Sequence, residues 1–311
     1  MIFLDNTIST SPYFNLALEE YFFKQIEDDS IILWRSENAI VVGKHQNTLA
    51  EINMPYAQSK NIKIARRLSG GGTVYHDLGN LNFTFIQTGE KEKLVDFAKF
   101  LKPIINALAE LGVEAIQGKR NELLVEGKKI SGNAEHTFKN RVLHHGTLLF
   151  NTKLDVLIKS LRINPLKYQD KAIKSVQSRV VNLNQYISGD FDHFRSTLAN
   201  SLKKQFEIET NYVISDIEIE EIKRLEKEKY QTWDWNFGYS PTYTLSKVLK
   251  TNDGEVPMKI SVKKGLINEI TLEGDNVSHV EELKKLEGKF HKPEIVRPIT
   301  NALGVDAMEL F

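Results

Sequence analysis

Helical and strand periods follow one another along this chain without the regular alternation that builds a parallel, doubly wound sheet, and this limits the fold more than any other feature. Ser11 and Pro12 are an N-cap and first helical residue, and Phe14, Ala17, Leu18, Tyr21 and Phe22 then recur at the spacing of an amphipathic helix. IILWR and AIVVGKHQN read as strands, the second an apolar run that turns polar over residues 43–47. Residues 81–86, LNFTFI, alternate as a half-buried strand should. A long helical face follows from Leu94 through Phe97, Leu101, Ile104 and Leu108 to Leu111, with Gly112 as its C′ residue and Pro103 predicting a kink or break. Residues 123–125 and 128–131 form a hairpin about a Glu126-Gly127 turn, and HHGTLLF is a further strand. Helical patterns return near residues 155–161, 193–206 and 217–230, the last rich in Glu and Lys and therefore solvated on one face.

Gly and Pro mark a turn across residues 237–243, beyond which MKISVKKGLINEITLEG reads as a second hairpin and HVEELKKLEG as a short helix. The expected class is α/β (α+β), with a large domain on a mixed, largely antiparallel sheet over residues 1–238. A linker at 239–244 and a small α+β domain at 245–311 complete it. A length of 311 residues suits one principal domain with an appendage.

RRLSGGGTVYHDLGN, from Arg66, concentrates positive charge beside three consecutive glycines. A backbone without Cβ atoms lets a ligand reach main-chain N–H groups, and the flanking arginines favour an anion site over a merely flexible loop. The run is neither a Walker A loop, lacking Gly-Lys-Ser/Thr, nor G-x-G-x-x-G, because Tyr75 stands at the last glycine, nor G-x-S-x-G, because Arg67 precedes Leu68-Ser69. In an extended backbone Arg66 and Arg67 point to opposite sides, so one faces a ligand and the other pairs structurally. The hairpin register sets Leu123, Val125 and Ile130 on one side and leaves Lys129 and Ser131 on the other, making Lys129 the lysine free to face a cleft. His144 and His145 face opposite ways in a strand and cannot share one ion. His76 and Asp77 are an acid/base pair or, equally, loop architecture held by hydrogen bonds.

Lys+Arg and Asp+Glu both number 41, so no global field favours nucleic acid or an anionic membrane, and neither is expected as a partner. There is no cysteine, which removes disulfides, thiolate metal sites and sulfur nucleophiles. MIFLDNTIST lacks the features of a secretory signal, and no apolar run approaches the ~20 residues of a membrane span, so a cytoplasmic protein is expected.

These motifs resemble the lipoate protein ligase A family, within the fold shared by biotin and lipoate ligases. The resemblance runs through FNLALEEY at Phe14, VVGKHQN at Val41, ARRLSGGGTVYHDLGNLNFTF at Ala65, RNELLVEGKKISGNA at Arg120, HHGTLLFN at His144, KSVQSRVVNL at Lys174 and the WDWNFG segment. It implies a large catalytic domain with a mixed sheet and a small C-terminal domain. It also implies a two-step reaction, in which lipoate and ATP give lipoyl-AMP and pyrophosphate, and a lysine of an acceptor lipoyl domain then takes the acyl group. The acceptors implied are 2-oxoacid dehydrogenase E2 subunits and the glycine cleavage H protein. ATP and Mg²⁺ enter with the substrates, no cofactor is tightly bound, and a monomer is expected.

By the same resemblance Lys129 is the catalytic lysine, touching both the lipoate carboxyl and the phosphate. Arg67, Gly72, Thr73, Val74 and Tyr75 line the adenylate site, with Ser178 and Arg179 in a loop that covers it. Gly70, Gly71, His76 and His145 join Lys129 around lipoate. Asn121 matches a family asparagine and Glu122 stands where an aspartate is common, so these two are the candidate metal ligands, with the extra methylene displacing the carboxylate. Octanoyl transferases and lipoyl amidotransferases that use a cysteine thioester are excluded, and the GRGRxG-type loop of biotin ligases is missing. A lipoyltransferase fed with preformed lipoyl-AMP and a noncatalytic lipoate-binding protein are the competing readings.

Overall fold

The computed structural model describes residues 1–90, 94–161, 168–176, 178–251, 254–272 and 277–311. Residue 177 of the KSVQSRVVNL motif and residues 273 and 274 of the expected second hairpin lie outside them.

The chain opens with β1 (Ile2–Asp5), α1 (Pro12–Gln25), β2 (Ser30–Trp34) and β3 (Ala39–Val42). Ser11 caps α1 by accepting from Phe14 N at 3.3 Å. The aromatic face packs as its spacing predicts, but the helix is not amphipathic in its burial: Asn15, Glu19 and Glu20 are buried along with Phe14, Leu18 and Phe22, because sheet and site residues wrap it. Two short helices, α2 (Thr48–Glu51) and α3 (Met54–Ser59), lead to β4 (Lys63–Arg66), β5 (Val74–His76) and β6 (Asn80–Thr88). β4, β3 and β5 form a small sheet, β3 running parallel to β4 and antiparallel to β5.

α4 (Phe97–Glu110) starts at an Asp96 cap and runs unbroken through Pro103. The predicted break does not occur because the amide hydrogen bond lost to Pro103 falls on the exposed Lys99 side of the helix. Gly112, at φ +77°, ends it as expected. β7 (Ile116–Gln117), β8 (Leu123–Val125) and β9 (Lys128–Ser131) make a second small sheet, then β10 (Asn133–Phe138) and β11 (Arg141–Leu149) return to the main one. The main sheet has the order β1-β2-β6-β11-β10, with β1 and β2 parallel and every other pair antiparallel, so it is mixed and largely antiparallel.

β6 is covered on both faces, so its alternation separates two interiors rather than core from water. Leu81, Phe83 and Phe85 join the largest core, against α4 and a later helix over Phe191–Gln205. Asn82 and Thr84 face the site, Thr84 donating to Glu19 at 2.6 Å beneath α1.

α5 (Leu154–Ser160) and β12 (Tyr168–Asp170) are followed by α6 (Phe191–Gln205) and α7 (Asp216–Leu225), the latter opened by a Ser215–Glu218 capping box. π-type turns at Glu226–Tyr230 and Asp234–Gly238 lead into β13 (Tyr243–Thr251), β14 (Gly254–Lys263) and β15 (Leu266–Leu272), then α8 (Val277–Lys284) and α9 (Pro293–Ala302). The second large sheet, four-stranded in the order β12-β13-β14-β15, takes its first strand from residues 168–170. Its core holds the chain end: His291 bonds Tyr243 and the Leu310 carbonyl, both at 2.7 Å, and stacks on Phe311.

Candidate active site

The loop between β4 and β5 is shaped by two adjacent arginines with opposite destinations. Arg66 is wholly buried and donates to the carbonyls of Gly43, Lys44 and Gln46 at 2.8–3.0 Å, and to those of Trp235 and Asn236 at 3.0 Å. It ties the β3–α2 loop to the segment that precedes the second sheet. Arg67 turns the other way, into a cavity wall, yet its donors are committed as well. Its Nε donates to Ser69 Oγ (3.0 Å), its Nη1 to the Val41 carbonyl (3.0 Å), and its Nη2 to the Gly70 (2.6 Å) and Gly72 (2.7 Å) carbonyls. Burial lowers both guanidinium pKa values to about 10, which leaves them charged at neutral pH. Arg67 therefore moulds the glycine loop around itself.

The glycines serve a neighbouring backbone as much as a ligand. Gly71 sits at φ +84°, and a Cβ on Gly43 would lie 2.1 Å from the Gly71 carbonyl oxygen.

From Arg67 a buried polar chain runs inward. Ser69 Oγ meets His145 Nε2 at 2.6 Å, and His145 Nδ1 meets Glu19 Oε1 at 2.9 Å. Glu19 also accepts from Thr84, whose hydroxyl accepts from Trp34 Nε1 at 2.9 Å. Because Arg67 Nε–H must donate to Ser69, the Ser69 hydroxyl donates to Nε2, and His145 donates from Nδ1 to the carboxylate. The spacing is that of a serine triad. Ser69, however, is fully buried and does not line the cavity, so it cannot act as a nucleophile, and the chain instead sets the counter-charge of Glu19 against Arg67.

His144 faces the opposite side, bonded to Glu135 at 2.8 Å and stacked between Phe83 and Phe100. Adjacent histidines thus part, as strand alternation requires, and the described residues hold no group of three or more His, Cys, Asp or Glu fit for a metal. Asp77 is loop architecture, accepting from Gly79 N (2.9 Å) and Lys153 N (2.8 Å). His76 is not its partner. The ring stands edge-on to Trp34 at 5.7 Å, and neither nitrogen has a hydrogen-bond partner among the described residues. Burial first, then the charge of Arg67, holds its pKa down at about 3, so the ring is neutral.

The hairpin turn has Glu126 at φ +51° and Gly127 at φ +72°, a type I′ geometry that pairs Val125 with Lys128 and Leu124 with Lys129. Leu123, Val125 and Ile130 enter the core, Lys128 stays exposed, and Lys129 faces the cavity. The Lys129 backbone is fixed on both sides, its N–H donating to Arg179 O (2.8 Å) and its carbonyl accepting from Val181 N (3.0 Å). Its ammonium has no hydrogen-bonded or ionic partner among the described residues. Burial, with Arg67 and Arg120 adding to it, lowers its pKa, and Glu122 opposes them.

Two cavities of about 310 and 690 Å³ adjoin here, both in the range of small-molecule sites. Both are lined by Thr73, Val74, Lys129, Gly132, Ser175 and Ser178, among others. Leu16, Trp34, Val41, His76 and His145 line the first alone, whereas Glu51, Tyr75, Leu149 and Leu157 line the second alone. Of the residues singled out from sequence, Arg67, Gly71, Gly72, Glu122 and Ser178 also border the first cavity. Three stand behind the walls. The Gly70 carbonyl is held by Arg67, Arg179 contributes its carbonyl to Lys129, and the Asn121 side chain accepts from Gln117 at 3.1 Å. Glu122 accepts from Arg120 N at 2.7 Å.

Sequence reasoning missed Trp34, Gln46, Glu51, Thr147 and Ser175. Trp34 ends an apolar strand and reads as core, and Gln46 and Ser175 acquire partners only through contacts distant in sequence.

The profile of the lipoyl protein ligase A/B catalytic domain matches residues 11–206. The chain is 37% identical to the lipoate-protein ligase LplJ of Bacillus subtilis, across 98% of this chain and 95% of that one. It is 40% identical to lipoate–protein ligase 1 of Staphylococcus aureus, across 88% and 85%. The solved structure of protein Ta0514 from T. acidophilum with bound lipoic acid matches at 25% identity with a TM-score of 0.65, covering 76% of this chain and 98% of that one.

Proposed function

The chain belongs to the lipoate protein ligase A family, and from that premise we propose that its two cavities divide the substrates, the acyl chain in the first, the nucleotide in the second and Lys129 at their junction. The protein is an ATP-dependent lipoate–protein ligase, which activates lipoate as lipoyl-AMP and passes the acyl group to protein. One observation carries the division. Lys129 borders both cavities with an uncommitted ammonium, while the donors of Arg66 and Arg67 are taken up by carbonyls and hydroxyls.

Activation brings a carboxylate against an anionic α-phosphate, so a cation fixed at their meeting point lowers the repulsion and holds the reacting atoms in line. Lys129 fills that role, with a backbone fixed by Arg179 and Val181. The apolar side chains Leu16 and Val41 suit an alkyl chain, and His76, with both nitrogens unpartnered, is a polar contact for lipoate beside Trp34. Arg67 and His145 act as the frame of that wall, and Gly70 and Gly71 shape it. Thr73, Val74 and Tyr75, with Ser178, bound the adenylate in the second cavity, while Gly72 lines the first and Arg179 serves through the carbonyl that fixes Lys129.

Mg²⁺ travels with ATP. It would be held through carboxylate and phosphate oxygens, and Glu122, a carboxylate on the wall of the first cavity whose charge reaches Lys129, fits such a place. Asn121, turned toward Gln117, does not. Residues 1–238 contain every residue of both walls and form the catalytic unit, with 239–244 as linker, although β13 already begins at Tyr243, and 245–311 as an accessory domain whose sheet borrows residues 168–170. The acceptors are lipoyl domains of E2 subunits and the glycine cleavage H protein, met by a monomer.

Lys129→Ala is expected to slow lipoate-dependent pyrophosphate release by about 10²–10³. Near-normal release would overturn the assignment. Lipoate with ATP and Mg²⁺, or premade lipoyl-AMP, given separately with an apo lipoyl domain, tests the reaction as a whole. Acylation from both is expected, and acylation from lipoyl-AMP alone would reduce the protein to a transferase.

A further inference from the structure

Residues 174–176 line both cavities and Ile173 lines the first, and hydrophobic burial does little to hold this segment across them: Ile173 is 47% exposed and Val176 60%. The fastening is polar and centres on Ser175. Its hydroxyl oxygen accepts from Thr73 N at 2.9 Å and from Gln46 Nε2 at 3.1 Å, and the hydroxyl hydrogen goes to the Glu51 carboxylate. Ser175 N also donates to Glu51, at 3.2 Å. Gln46 completes the node, its Oε1 accepting from Gly43 N (2.8 Å) and Thr73 Oγ1 (2.9 Å) and its Nε2 donating to the Ile173 carbonyl (3.2 Å). The crossing segment is thereby joined to the glycine loop directly through the Ser175 hydroxyl and indirectly through Gln46, with the Ile173 N–H donating to the His45 carbonyl at 3.3 Å.

Glu51 is the unexpected member. It is buried at the C-terminal end of α2, where a carboxylate gains nothing from the helix, and among the described residues its oxygens accept only from Ser175. Burial raises its pKa, the mark of a carboxylate kept out of water at a cost. A buried charge placed to hold one serine needs a reason, and the cavities under that serine supply it.

We propose that Glu51 is a positioning residue which, through Ser175, latches residues 173–176 over the cavities and shields the acyl adenylate from water until the acceptor amine arrives. This rests on the ligase reading above. An acyl phosphate anhydride is open to water: water oxygen adds to the acyl carbon, the bond from that carbon to the bridging oxygen breaks, and lipoate and AMP leave as the two protons of water pass to solvent. An unlatched segment admits that reaction, and ATP is consumed without product.

The test is the ratio of pyrophosphate released to lipoyl domain acylated, measured with lipoate, ATP, Mg²⁺ and an apo lipoyl domain. It should be near one in the native protein. Glu51→Ala and Ser175→Ala should each raise it about tenfold, as expected for a hydrogen-bonded node with a charged member. Glu51→Gln retains an oxygen able to accept from both the N–H and the O–H of Ser175, and should stay within about twofold of native. An unchanged ratio in both alanine variants overturns the latch, as does a Glu51→Gln variant no better coupled than Glu51→Ala. Ser175→Ala removes the hydroxyl from the exposed crossing segment and leaves buried Glu51 in place, which keeps the test valid if Glu51→Ala fails to fold. Native protein that releases no pyrophosphate would instead fail the ligase reading, a separate and visible outcome.

Discussion

Arg67 has two roles in one side chain: it forms part of a cavity wall and it is the pin around which the glycine loop is wound. Lysine could supply the charge but not the fork that reaches Val41, Gly70 and Gly72 together. Arg67→Lys should therefore lower adenylation at least tenfold and lose roughly 2–3 kcal/mol of stability, since buried carbonyls are left without donors. Rates by pyrophosphate release and unfolding by urea would check both. Native-like values in each would mean that charge alone matters. That the two arginines face apart was legible from strand alternation. Their saturation was not, because the acceptors of Arg66 and the Val41 carbonyl taken by Arg67 come from residues 41–48 and 235–240, which only the folded chain brings near.

Among the elements, those governed by local rules were the legible ones. The β8–β9 hairpin followed from Glu126-Gly127 and the side-chain alternation around it, and its register delivers Lys129 to the cavity. The approach of the β3–α2 loop to the glycine loop was hidden, since nothing near Gly43 announces Gly71. Its effect is testable. Gly43→Ala would drive a methyl group into the Gly71 carbonyl, which must shift, at a cost of about 1–3 kcal/mol. The expected result is a raised KM for both ATP and lipoate, because the displaced loop borders both cavities. Unchanged steady-state constants would show that the loop has room to yield. α1 and β6 misled the pattern for a shared reason: their polar residues face a buried site rather than water.

For the whole molecule, buried histidines set the response to acid. Burial holds His76 and His144 at about 3 and His291 at about 4, against an ordinary 6.5. Below that ordinary value the unfolded chain takes up a proton at each, and the fold does not, so stability is full above pH 6.5 and falls as pH drops toward 4. Each histidine contributes about 1.4 kcal/mol per pH unit. Glu135, pushed up to about 7 by burial, protonates more readily in the fold and offsets one of the three, with Glu51 adding to the offset lower in the window. A net loss of up to ~3 kcal/mol per unit is expected between pH 6.5 and 4.5, read as a falling urea midpoint. A flat profile would contradict the neutral, buried state of these rings.

The strand order of the second sheet also governs when it can form. β12 ends at Asp170 and pairs with a strand that begins at Tyr243, so α6, α7 and both π-type turns must be synthesised and brought round before the two meet. Loop closure of that length delays a contact far more than it weakens it. β13, β14 and β15 follow one another closely in sequence and can pair early, but they then present an open edge until residues 168–170 arrive. Cutting the chain at residue 239 would make that interval permanent, and the released C-terminal piece should self-associate along β13 even where the intact protein stays dispersed.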